Sequence, residues 1–230
     1  MAGKQVIPVA FNLLAVLLVL WAAPTATAQE AETAVDLSVC SPTGEFTLAS
    51  TNPYFPMSVG SEWTLEGGDE RVVVTVLDET ETVAGVTTRV IEEREFEDGE
   101  LKEVSRNFFA QASDGTVCYF GEDVDNYKDG EVVSHESEWR ADAPGSRPGV
   151  IMPADPRPGV TFQMEGAPGS AEDAGRIVEV GSSTEVPAGT FAETLRLEEH
   201  DLLDDEREEK VYAKGVGILI DEDLELVSHR

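Results

Sequence analysis

The stretch VPAGTF at residues 186–191, followed by TLRLEEH at 194–200 and VYAKGVGILI at 211–220, predicts three strands joined by turns. The PAG step at 187–189 predicts the first turn, because proline presets φ and glycine accepts positive φ. In the middle segment polar residues alternate with leucines, which is the pattern of a half-buried strand. The GVG step at 215–217 predicts a bulge or a close backbone approach where the third strand begins.

The rest of the chain repeats this pattern of short strands and turns. Asp-Gly steps at 98–99, 114–115 and 129–130 are hairpin signals, and they separate segments rich in β-branched and apolar residues. Such spacing predicts an antiparallel meander in which consecutive strands are neighbours. We therefore predict an all-β fold, a curved antiparallel sheet of barrel-like or sandwich form with roughly ten to twelve strands.

Four segments together resemble a family of uncharacterised bacterial exported proteins and lipoproteins. They are NPYFPMSVGSEW (52–63), PGVIMPADPRPG (148–159), PAGTF (187–191) and YAKGVG (212–217). The resemblance extends from residue 52 to the C-terminus. It implies an all-β extracytoplasmic domain and brings no catalytic residues.

The N-terminus has the three parts of a secretory signal peptide. Lys4 supplies a positive charge, an apolar run follows at 11–23, and residues 26–28 (ATA) form a small-residue cleavage site. The alternative is a membrane anchor, for which the apolar run is short. A lipoprotein would carry a cysteine directly after this run, whereas Cys40 lies well downstream. We expect an exported protein, periplasmic or extracellular, without a lipid anchor.

These patterns divide the chain into a signal peptide at 1–28, a flexible polar lead-in at 29–51 and a single all-β domain at 52–230. The chain has two cysteines, Cys40 in the lead-in and Cys118 in a predicted strand. Disulfides persist outside the cytoplasm, so a Cys40–Cys118 bridge is one expectation. The other is two separate thiols, with Cys118 buried as a small apolar residue.

The formal net charge of −30 limits the choice of partners. Such a charge argues against nucleic acid and against anionic membrane surfaces, because both are polyanions. A basic protein partner fits the charge, and so does the simpler interpretation that the acidic residues keep the protein soluble.

A proline-rich segment at 141–159 interrupts the predicted strands. Loops of this length in a compact domain usually bind or cover something. Ile151 and Met152 need apolar cover, which the inner face of the sheet can give. We therefore predict that Ile151, Met152 and the aromatic Trp63 contact an apolar small molecule or lipid. A plug over the sheet, with Trp63 in the core, is the alternative.

Motifs for catalysis are missing from the sequence. Asp125, Asp129 and Glu136 have the spacing of a calcium loop, but Tyr127 occupies a ligand position and a hairpin explains the same residues. The three histidines lack zinc-site spacing, and no nucleophile elbow or phosphate loop occurs. We predict no catalytic residues, no metal and no cofactor. The favoured function is non-enzymatic binding; the alternatives are a structural or protein-interaction module with an acidic surface and an unrecognised hydrolase.

We predict cleavage after Ala28 during export, because the small-residue site directly follows the apolar run. The intact mass of protein recovered outside the cytoplasm measures this. A recovered mass that still includes residues 1–28 would contradict the prediction.

Overall fold

The computed structural model describes residues 33–230, so the predicted signal peptide lies outside the described residues. This part of the chain is almost entirely β-structure, with one 3₁₀ helix at Leu37–Cys40. The strands are β1 Thr33–Ala34, β2 Phe46–Thr47, β3 Glu62–Gly67, β4 Glu70–Val83, β5 Val86–Glu97, β6 Glu100–Ala112, β7 Val117–Lys128, β8 Glu131–Ser134, β9 Trp139–Arg140, β10 Gly149–Met152, β11 Val160–Gln163, β12 Asp173–Val186, β13 Gly189–Asp201, β14 Arg207–Ala213, β15 Gly217–Asp221 and β16 Leu224–His229.

All these strands belong to one curved sheet, which confirms the all-β prediction. The main order is β1-β11-β12-β13-β14-β15-β16-β3-β4-β5-β6-β7-β10, with β2 beside β6 and with β8 and β9 beside β7. Consecutive strands from β3 to β7 and from β11 to β16 are neighbours, as a meander requires. The pairing is antiparallel except for β1 and β11, which run parallel.

The two meanders are joined by the C-terminal strand. In the β16–β3 pair Leu226 lies opposite Leu65, and both side chains are buried. The backbone amides of Glu62 and Arg230 donate to each other's carbonyls at 3.1 and 3.0 Å. The first and last strands of the predicted all-β domain therefore pair side by side in the middle of the sheet.

The two ends of the sheet approach each other without closing it. Gly149 of β10 packs against the backbone carbonyl of Met164, which leaves no room for a Cβ atom. Near it, the amide of Arg147 donates to the carbonyl of Gly166 at 2.9 Å. The sheet therefore wraps around an interior.

The turns lie where the sequence predicts them. At the β5–β6 hairpin, Asp98 and Gly99 both have positive φ, 52° and 78°, as the favoured two-residue hairpin turn requires. Gly217 begins β15 with a φ of 106°, and a Cβ there would lie 3.2 Å from the Trp63 indole. The GVG step is therefore a close approach of backbone to an aromatic ring.

The described part of the predicted lead-in packs on the outer face of β6 and β7. Strand β2 pairs with β6, and the Phe46 ring meets the buried Phe120 ring edge-on at 5.4 Å between centroids. Cys118 points to the same face as Phe120, and a disulfide joins it to Cys40. Alternation along β7 turns Tyr119 to the opposite face, so β7 is covered on both sides.

We predict that this disulfide forms in the exported protein and stabilises it. The cysteines are 78 residues apart, for which chain entropy gives about 4 kcal/mol. Thiol titration of the denatured, unreduced protein should find no free thiol. The Cys40→Ala/Cys118→Ala double variant should melt at a lower temperature than the oxidised protein and should not respond to reductant. Two titratable thiols would contradict the prediction.

Candidate functional site

The curved sheet lines a cavity of about 250 Å³ that is partly open to solvent. Its lining comes from both meanders, from the segment before β3 and from β10. The cavity is therefore built by the wrapping of the sheet rather than by one local motif.

Six of the lining residues are aromatic, and we call them the aromatic lining: Tyr54, Phe55, Trp63, Phe109, Tyr119 and Tyr212. Phe109 stacks on Tyr119 with 4.7 Å between ring centroids, and Phe55 meets Phe109 edge-on at 5.1 Å. The indole Nε1 of Trp63 donates to the carbonyl of Val216 at 2.7 Å, which fixes the ring. The aromatic lining is thus held by ring contacts and by this hydrogen bond.

Seven further lining residues are carboxylic acids, and we call them the acidic wall: Glu93, Glu95, Glu103, Glu122, Glu165, Glu199 and Asp221. Strand alternation turns Ile91, Glu93 and Glu95 to the same face of β5. Across the β5–β6 pair Ile91 lies opposite Asn107, and Glu95 lies opposite Glu103. Along these strands the lining therefore changes from apolar to acidic.

The lining residues of the other meander also change from apolar to charged along the strands. Tyr212 lies opposite Ile218 in the β14–β15 pair, and Lys210 lies opposite Asp221. Lys210 and Asp221 are near the β15–β16 turn. Asp223 in this turn lies against Gly67, which belongs to the β3–β4 turn. Strand β4 begins there, opposite the end of β5. The cavity is therefore amphipathic, with its acidic wall toward this end of the sheet.

Lys210 is the one basic residue of the lining. Its Nζ lies 3.1 Å from Asp221 Oδ1 and 3.3 Å from Glu199 Oε2. Burial opposes the charged form of the lysine, but these two carboxylates outweigh it and raise the pKa of Lys210 well above its usual value. Lys210 is therefore a permanent cation and a poor nucleophile.

The remaining carboxyls have no such partner, and their pKa values are raised. Burial raises the pKa of Glu93 and of Glu122 to about 8 and that of Glu165 to about 9, and neighbouring carboxylates add to the effect. Burial also raises the pKa of Glu95 to about 7, with Glu103 as the next cause. These side chains therefore bind protons near neutral pH.

On the outer face of the same strands, in contrast, a buried carboxylate has basic partners. Glu92 is buried and accepts from Arg94 Nε at 2.7 Å and from Arg106 Nε at 3.2 Å. Sequence reasoning missed the acidic wall because charged residues occupy both faces of β5 there. The available signal was the alternation of Glu93 and Glu95 with Ile91.

The predicted ligand-binding residues do not all lie in the cavity. Trp63 and Ile151 line the cavity, and Met152 does not. Strand β10, which lies inside the predicted proline-rich loop, pairs with β7, and its register shifts between Val150 and Met152, so Ile151 lies at a bulge. Met152 is completely buried and therefore belongs to the core rather than to the cavity.

Within residues 33–230, no three His, Cys, Asp or Glu side chains are grouped so that they could hold a metal ion. The calcium-like spacing lies on the β7–β8 hairpin, where Asp129 and Gly130 have positive φ. The histidines are dispersed: His135 Nδ1 lies 2.7 Å from the Val124 carbonyl, and His200 Nε2 lies 2.7 Å from Asp205 Oδ1. None of the three histidines lines the cavity.

Comparisons with known proteins give little further information. No protein-family model matches the chain, and no curated protein matches it. A crystal structure of a "putative lipoprotein" from Parabacteroides distasonis ATCC 8503 is similar at 13% identity and a TM-score of 0.36, over 76% of this chain and 97% of that one. This similarity is too low to carry an argument about a ligand or an anchor.

No helix in the described part of the chain has the length and apolar character that crossing a membrane requires.

We predict that stability falls as the pH rises from about 5 to about 9, because the raised pKa values make the folded state bind more protons than the unfolded chain in this range. Replacing a buried carboxyl by an amide should remove part of this pH-dependent loss of stability. The Glu122→Gln/Glu165→Gln variant should match the wild type near pH 5 and melt about 5 °C or more above it near pH 9.

The control for this experiment is Glu131→Gln, which changes an exposed carboxylate on the β7–β8 hairpin. Its melting curve should keep the wild-type pH dependence. Thermal denaturation followed by circular dichroism at each pH measures all three proteins. Parallel curves for the wild type and the double variant would show that burial does not perturb these carboxyls.

Proposed function

We propose that this protein is an exported, non-enzymatic binding domain that holds an amphipathic small molecule in the cavity of its curved sheet. The observation that carries the proposal is the gradient of the cavity, from the aromatic lining to the acidic wall. Small-molecule sites are concave, mostly apolar and marked by a few polar groups that orient the ligand. The location in the cell envelope or outside it rests on the N-terminal signal pattern.

The cavity favours binding over a structural module and over a histidine-dependent hydrolase. A purely structural or protein-interaction module would have a filled interior, whereas aromatic side chains here border about 250 Å³ of space. A hydrolase that depends on a histidine would bring that histidine and a carboxylate together in the cleft. The lining contains carboxylates without a histidine.

We predict that Ile151→Ala weakens the binding of a neutral apolar probe, N-phenyl-1-naphthylamine, by about three- to tenfold. Ile151 lines the cavity, so its removal takes apolar contact away from the probe. Fluorescence titration of the folded protein measures the dissociation constant.

Met152→Ala is the matched control, one residue away in β10 but fully buried in the core and outside the cavity lining. It should lower stability by about 2–5 kcal/mol, because it leaves a void in the core, and it should leave probe affinity unchanged. Probe fluorescence that does not saturate with the wild-type protein would refute the proposed function.

A further inference from the structure

We infer that the ligand is an organic cation, a substituted ammonium group on an apolar body, whose charge lies at the acidic wall and whose body contacts the aromatic lining. This inference rests on the proposed function and adds the chemical class of the ligand.

The first step is the charge of the lining. The acidic wall has seven carboxyls, and Lys210 pairs with two of them, Glu199 and Asp221. Within residues 33–230, the other five carboxyls form no ion pair with a basic side chain. Glu95 and Glu103 lie directly opposite each other on neighbouring strands, where like charges repel. The lining thus becomes strongly negative as these carboxyls ionise, and Lys210 offsets only part of that charge.

The second step is the pairing of these carboxyls. Glu199 and Asp221 have a partner, because the Lys210 ammonium lies 3.3 Å from Glu199 Oε2 and 3.1 Å from Asp221 Oδ1. Glu93 faces the cavity, and in the described chain it has neither a hydrogen bond nor an ion pair of its own. Buried carboxyls normally have a partner, so Glu93 favours a ligand that brings a positively charged group beside it.

The third step is the aromatic lining. Aromatic faces attract cations, and sites for quaternary ammonium groups combine several rings. Tyr119 stacks on Phe109 and contacts Glu122, so rings and carboxyls adjoin in one wall. A ligand with a charged nitrogen and a hydrocarbon body matches both halves of the cavity.

The same features disfavour other ligands. A fatty acid or a phosphate would place its negative charge among carboxyls, and Lys210 is already held by two of them. A bare metal ion lacks the apolar body that the aromatic lining would cover, and the described residues contain no metal-binding group. The raised carboxyl pKa values agree with a cavity whose counter-charge comes from a ligand.

The test compares three ligands of similar shape by calorimetry: benzyltrimethylammonium, its uncharged carbon isostere neopentylbenzene, and the anion 3-phenylpropanoate. At pH 9 the cation should bind at least about tenfold more tightly than the neutral isostere, and the anion most weakly. Affinity for the cation should rise between pH 6 and pH 9, as the acidic wall ionises beside Lys210, while affinity for the neutral isostere stays constant.

Two variants with the same loss of one negative charge complete the test. At pH 9, where Glu93 is ionised, Glu93→Gln should weaken cation binding by about tenfold and leave the neutral isostere unaffected. Glu131→Gln, outside the cavity, should change neither, because exposed charges are screened. Cation binding no stronger than that of the neutral isostere, or equal effects of the two variants, overturns the inference. The naphthylamine titration tests the proposed function separately. If the neutral probe binds but the cation is not preferred, this inference fails and the proposed function stands.

Discussion

The pairing of β16 with β3 is the constraint on which the rest of the structure depends. It joins two meanders that are otherwise formed from local hairpins, and it connects residues separated by nearly the whole domain. Each meander alone would leave an unpaired edge and an uncovered apolar face. Once Leu226 and Leu65 are paired, the twist of the combined sheet brings β10 and β11 toward each other around an interior.

The interior that results is stabilised unevenly. The aromatic lining is held by ring contacts and by the Trp63 hydrogen bond, whereas the acidic wall collects carboxyls that repel one another in a poorly solvated place. A sheet selected for stability alone would put apolar residues at these positions. Binding sites commonly retain such unfavourable arrangements, because a ligand compensates for them and function opposes maximal stability.

The outer face of β6 and β7 explains how the cavity wall stays in place. Phe120 and Cys118 point away from the cavity and are covered by the N-terminal segment, which the disulfide to Cys40 holds there. Tyr119, between them in sequence, points into the cavity. The lead-in segment therefore supports this wall of the cavity from behind, and the disulfide holds that segment in place.

The sequence by itself indicated the long β-strands, the hairpin turns and the meander order, because alternation and Asp-Gly steps act over a few residues. It also indicated Trp63 and Ile151 as residues of the interior. It did not indicate β10, which lies inside the predicted proline-rich loop. The tertiary structure decided which charged residues face inward: Glu92 and Glu93 are neighbours in sequence, yet one is paired with arginines outside and the other faces the cavity unpaired. The side of a strand that becomes the interior depends on the wrapping of the whole sheet, and that wrapping follows from contacts between residues far apart in the chain.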